Sequence, residues 1–147
     1  MGIFKKVFGQ GTSEKIALNS TEAFAAIALV AIASDGYLSE SEEVEMKMRL
    51  GRMRLFKASM DNFERMKDYL VDALKKHGSN ELIQSAKASL PPTLAPTAFA
   101  IAVDLVFSDG SVSSEEQAFV DDLRHILAIP DDLALKIVEV MTIKNKG

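Results

Sequence analysis

Ser34-Asp35-Gly36-Tyr37-Leu38-Ser39-Glu40-Ser41-Glu42 returns further along the chain as Ser108-Asp109-Gly110-Ser111-Val112-Ser113-Ser114-Glu115-Glu116. Each copy follows a small, apolar, alanine-rich segment, residues 25–33 in the first case and 99–107 in the second. Laid over each other, residues 25–42 and 99–116 agree at eight of eighteen positions, which marks an internal duplication. In both copies a helical pattern runs into Asp-Gly, where glycine's access to positive φ ends the helix. A Ser-x-x-Glu capping box, Ser39 to Glu42 and Ser113 to Glu116, then opens the next helix. The repeated unit is therefore helix, acidic turn, helix.

Working outward, the remaining signals are helical as well. Asn19 with Glu22 caps the first alanine-rich helix. The helix after Ser39 would turn Met46, Leu50 and Met53 inward. A longer one over 60–77 carries Phe63, Met66, Leu70 and Leu74 at helical spacing and stops at Gly78. Ser79-Asn80-Glu81 caps a short helix that Pro91-Pro92 terminates. The second alanine-rich helix begins near Thr93 or Pro96. The one after Ser113 would bury Phe119, Val120, Leu123 and Leu127. Pro130-Asp131-Asp132 starts a last helix along Leu133, Ile137, Val140 and Met141, its acidic first turn matching the dipole. No strand pattern survives. The expectation is an all-α single domain over 1–147 of about seven helices in two pseudo-symmetric halves. The first repeat covers about 20–55, bridging helices about 59–90, and the second repeat about 93–143. Each alanine-rich helix is apolar nearly all round and must lie centrally.

Composition removes several function classes. The chain has no Cys, so disulfide scaffolds, thiol catalysis and cysteine-based zinc sites are out. A net charge of −4 argues against a nucleic-acid footprint and against trapping an oxyanion. No apolar run is long enough for a signal peptide or a membrane span, so a soluble, intracellular protein is expected. His77 and His125 are isolated; the expected roles are a cation at a helix C-terminus and a surface residue. No nucleophile–base set, phosphate loop or dinucleotide fingerprint occurs, so the protein reads as non-enzymatic. The stripe Ile3, Phe4, Val7 and Phe8 is expected to fold back on the core, with membrane-surface attachment as its alternative.

Two readings fit the repeated phrase. In one it is purely a turn: Gly takes positive φ, Leu38 or Val112 clasps the core, and Asp accepts turn N–H groups. In the other, Asp35, Glu42, Asp109 and Glu116 are ligands for a hard cation, Ca²⁺ or Mg²⁺, because only oxygen donors are on offer. Asp35, Gly36, Leu38 and Glu42 fall at positions 5, 6, 8 and 12 of a calcium-loop pattern, and the second copy matches likewise. Positions 1 and 3 are Ala31 and Ala33, or Leu105 and Phe107, so neither loop is a complete EF-hand. Both aspartates sit at helix C-termini, where the dipole disfavours a carboxylate by about 0.3–1 kcal/mol. A compensating partner, turn N–H groups or a cation, is called for. The basic run Lys47, Arg49, Arg52 and Arg54 is a candidate face for an acidic partner or lipid headgroups.

The chain resembles the tellurite-resistance TerB family over nearly its whole length. The resemblance rests on the Met1-Gly2-Ile3-Phe4-Lys5-Lys6-Val7 start and Ala31-Ile32-Ala33-Ser34-Asp35-Gly36 closing the first central helix. It rests further on Phe107-Ser108-Asp109-Gly110 followed by Glu115-Glu116, and on Leu127-Ala128-Ile129-Pro130-Asp131-Asp132. What the resemblance implies is a cytoplasmic, bacterial, all-helical, non-catalytic protein of a stress response linked to tellurite, metal and phage challenge. Its acidic residues would bind a divalent cation, and its partners would be other stress-response proteins associated at the inner membrane. Asp35, Glu42, Asp109 and Glu116 fall on the family's motif, with Glu43 and Glu115 flanking it as secondary metal candidates. Bulky Tyr37 stands where the second copy has Ser111, so the two sites need not be equivalent. The alternative is a structural adaptor that docks on a membrane-associated complex through the basic face, without metal.

Overall fold

The two alanine-rich segments fold as helices packed directly against each other, and the other elements surround them. The computed structural model describes residues 16–33 and 36–147. In chain order these contain α1 (Ser20–Ala33), α2 (Glu40–Gly51), α3 (Arg54–Lys57) and a 3-10 turn at Met60–Asn62. There follow α4 (Phe63–His77), α5 (Ser79–Ser89), a 3-10 turn at Pro92–Leu94, α6 (Ala95–Phe107), α7 (Ser114–Ile126) and α8 (Asp131–Lys144). Among the described residues there are eight α-helices and no strand, in one compact all-α domain. None of these helices is by itself long and apolar enough to cross a membrane. The expected contacts of Ile3, Phe4, Val7 and Phe8 lie outside the described residues.

Every residue of α1 from Ala23 to Ala31 is buried, which is why it sits at the centre. It packs against α5, α6, α4 and α2. Helix α6 buries Ala98, Phe99, Ala102, Val103, Leu105 and Val106. Alanine on both helices lets the axes approach more closely than leucine would. The capping residues behave as their spacing predicts at α1. There the Asn19 side chain accepts from the Glu22 N–H at 2.8 Å, and Glu22 accepts from the Asn19 N–H at 2.9 Å. Helix α4 ends at Gly78, φ 86°. No Ser79 cap forms, because Gly78 itself occupies the N-cap position of α5 and Ser79 is already helical.

The chain also departs from the expected pattern in three places. The eighth helix is α3: α2 stops at Gly51, and Met53 becomes the half-buried N-cap of α3 rather than part of the inward face of α2. The break brings Phe56 to 0% exposure, edge-on to Phe24 with ring centroids 5.8 Å apart. A continuous helix would direct that aromatic elsewhere. Phe119 is only half-buried. In α8 the expected apolar stripe is poorly covered: Ala134 is its one fully buried residue and Val140 is 57% exposed. That helix lies at the periphery with α6 as its main support.

Helix α7 ends in a left-handed residue that is not glycine. Ala128 has φ 55°, its N–H donates to the His125 carbonyl at 3.1 Å, and the Ile129 N–H donates to Arg124 at 3.0 Å. This is the paired bonding of a Schellman cap, whose left-handed position strains any Cβ. Strain relief of about 1–2 kcal/mol exceeds the added unfolded-chain entropy, so Ala128→Gly should stabilise the fold by about 0.5–1 kcal/mol in chemical denaturation. A destabilised variant would contradict this reading of the cap.

Candidate functional site

The end of α6 shows how the repeated phrase makes a turn. Gly110 adopts φ 83°, and its N–H donates to the Phe107 carbonyl at 3.0 Å. Asp109 Oδ1 accepts the Ser111 N–H at 3.0 Å, so this aspartate meets part of its dipole cost inside the turn. Ser113 and Glu116 then close the capping box at 3.1 and 2.9 Å. The first copy has the same local construction. Gly36 has φ 86°, its N–H donates to Ala33 at 2.8 Å, and Ser39 with Glu42 forms the second box. Leu38 and Val112 pack half-buried against the core as clasps. Asp35 lies outside the described residues.

The two turns differ in cover. Gly36 is buried, and a Cβ built there would stand 3.0 Å from Cγ of Lys75. Gly110 is exposed, with nothing within 4 Å of such an atom. Tyr37 is 70% exposed beside the first turn. The second turn is the more open of the pair.

Glu42, Asp109 and Glu116 come together along a single cleft of about 440 Å³. Its apolar lining comes from α1 and α6; Glu45 of α2 adds a fourth carboxylate, and no Lys, Arg or His lines it. In Glu42 and Glu116, Oε1 is engaged by the capping box at 3.0 and 2.9 Å, and among the described residues none donates a hydrogen bond to Oε2. The donors are carboxylates and serine hydroxyls, chemistry suited to hard cations. Among the described residues no three acidic or imidazole groups converge tightly enough to ligate a bare ion.

The other sequence candidates lie apart from the cleft. Glu43 accepts from Lys67 at 3.0 Å in a separate groove. Lys67 is held above the ordinary lysine pKa, first by its hydrogen bond to Glu64 and, despite its burial, also by Glu43 and Asp68. Glu115 is exposed and does not line the cleft. Of the basic run, Lys47, Arg52 and Arg54 are exposed and Arg49 is drawn inward. The Lys47 ammonium lies 5.6 Å from the Phe63 ring centroid, and Arg49 is turned inward with a side chain 15% exposed. Arg52 and Arg54 are the two of the four left exposed without these ties.

Arg49 leads to a site that the sequence reading passed over. Its Nε donates to Asp104 at 2.9 Å, and its Nη1 pairs with Glu45. Asp104 is 5% exposed and also receives Lys144 at 3.1 Å and the Asn145 amide at 2.8 Å. The signal was available: a single carboxylate inside the apolar run 99–107 demands compensating donors. Burial alone would raise the pKa of its carboxyl. The hydrogen bonds from Asn145, Arg49 and Lys144 outweigh that and leave it below the ordinary 3.8.

A carboxylate depressed in this way stabilises the fold fully above its unfolded pKa, and the contribution is lost as pH falls through the folded value. Asp104→Asn, which leaves Arg49 only Glu45 as a carboxylate partner, should cost about 1–3 kcal/mol at neutral pH. In urea titrations the gap to the parent chain should narrow only below pH 3.8, where Asp104 itself protonates. A gap independent of pH down to acid denaturation would contradict the assignment.

No protein-family model, curated protein or solved structure matches the chain.

Proposed function

We propose that the protein is a TerB-like, non-catalytic module of a bacterial stress response that holds a divalent cation in the cleft between its two acidic turns. The observation that carries this reading is the lining of that cleft: four carboxylates, Glu42, Glu45, Asp109 and Glu116, of which Glu45 is already paired with Arg49 behind it. Three of the four belong to the repeated phrase, and Asp35 joins the proposed set by its place in that phrase. On this reading the chain is a duplicated pair of helix–turn–helix halves, and the capping boxes serve two purposes. Each fixes one carboxylate oxygen of its glutamate and leaves the other for the ion. The bound species is Ca²⁺ or Mg²⁺ with retained water, since the oxygens do not close into a tight cage.

The cation's role is electrostatic and structural. A divalent charge set among Glu42, Asp109 and Glu116 offsets most of their repulsion, stiffens both turns and presents them to partner proteins, expected among stress-response components at the inner membrane. The reading is non-catalytic: the Ser39 and Ser41 hydroxyls bond each other and Ser108 bonds the Leu105 carbonyl, so these hydroxyls are not set against a carboxylate base.

Glutamine retains the capping box while removing the charge, so Glu42→Gln and Glu116→Gln probe the cleft without disturbing the turns. Calorimetric titration of the parent chain should give a Ca²⁺ Kd of roughly 10⁻⁴–10⁻³ M, the range of loosely caged sites. The double variant should bind at least about tenfold more weakly, since each lost charge–ion contact is worth about 1 kcal/mol or more. Absence of both heat and a Tm shift with Ca²⁺ or Mg²⁺ in the parent chain would remove the cation from this account.

A further inference from the structure

We infer that α8 is a releasable strap, fastened at its C-terminal end by the buried Asp104 latch and able to open without unfolding the central helices. Three independent features of the structure lead there. First, α8 rests mainly on α6, and of its fourteen residues Ala134 alone is fully buried. Ile137, Val138 and Met141 are half-covered, while Leu135, Val140 and Ile143 are 59%, 57% and 71% exposed. A helix with so little apolar burial opens at low cost compared with α1, which is buried along most of its length.

Second, the two ends of α8 are held by polar contacts of different quality. At the start, Asp131 pairs with Arg124 on the surface, an exposed ion pair of small worth. At the far end, Lys144 and Asn145 reach Asp104, whose remaining oxygen is taken by Arg49. Those are charge-assisted bonds to a buried carboxylate, the stronger kind. The fastening therefore sits at the end of the helix away from its connection to α7.

Third, the latch can release without stranding a buried charge. When Lys144 and Asn145 leave, Arg49 of α2 still neutralises Asp104. The departing groups return to water, and the Lys144 side chain is already 53% exposed. The connection to α7 carries the left-handed Ala128 and Pro130, which set the direction from which the strap leaves. Opening bares Ile137, Val138 and Met141, together with the surface of α6 beneath them.

Native-state hydrogen exchange on the full chain tests this. The paired change Lys144→Met and Asn145→Ala keeps Arg49 on Asp104. It should speed exchange of the α8 amides by about tenfold or more, the worth of losing one or two bonds to a charged group. In the parent chain and in the variant, α8 amides should exchange through an opening of lower free energy and smaller urea dependence than the amides of α1 and α6. Lys144→Arg with Asn145 intact should restore parent protection in α8, because a cation again reaches Asp104. Unchanged α8 rates in the paired variant would overturn the inference. So would α8 amides that share the opening free energy and urea dependence of α1 and α6 in the parent chain, which would make α8 part of the globally unfolding core.

Discussion

The close packing of α1 against α6 is the constraint on which the rest of the structure depends. Both helices are apolar around most of their circumference, so neither has a face it can show to water, and each must be enclosed by the other elements. Alanine side chains allow the two axes to come near. Once the two helices lie side by side, the turns that end them contribute residues to one cleft. The meeting of Glu42, Asp109 and Glu116 is thus a by-product of core packing, and the acidic cleft inherits its rigidity from apolar contacts beneath it.

Charge is distributed in two tiers. The cleft carboxylates are partly open to solvent, with one oxygen of Glu42 and of Glu116 fixed by a capping box. Asp104, by contrast, is enclosed and fully provided with donors. Arg49 joins the two tiers, since its guanidinium contacts Glu45 at the cleft and Asp104 under α8. One half-buried cation therefore offsets negative charge at the cleft and at the C-terminal helix together. Its side chain cannot also serve a docking surface. This draws Arg49 out of the basic run and leaves Lys47, Arg52 and Arg54 exposed.

Most of the fold was legible because its punctuation is local. Capping boxes at Asn19, Ser39 and Ser113, and glycines at 36, 78 and 110, fix helix ends through bonds spanning three or four residues. What escaped was set by distant contacts. The break between α2 and α3 exists because Phe56 meets Phe24, thirty-two positions earlier, and periodicity carries no trace of that pairing. The exposure of Val140 follows from the peripheral place of α8, which its own apolar residues do not reveal. At the site, the repeated phrase pointed to Glu42, Asp109 and Glu116. Glu45 lies one helical turn beyond the phrase and joins the cleft through geometry alone. Glu43 and Glu115 are sequence neighbours of the motif glutamates, but adjacent helical positions face different directions, so neither lines the cleft.

The claim that both acidic turns hold one cation is tested most directly by paramagnetic broadening with Mn²⁺, a hard ion that accepts the same oxygen donors. Amide signals of Glu42, Glu45, Gly110 and Glu116 should broaden together at substoichiometric Mn²⁺, while those of Arg52 and Ile143 remain sharp. Broadening confined to one turn, or spread evenly over the acidic surface, would contradict a shared site.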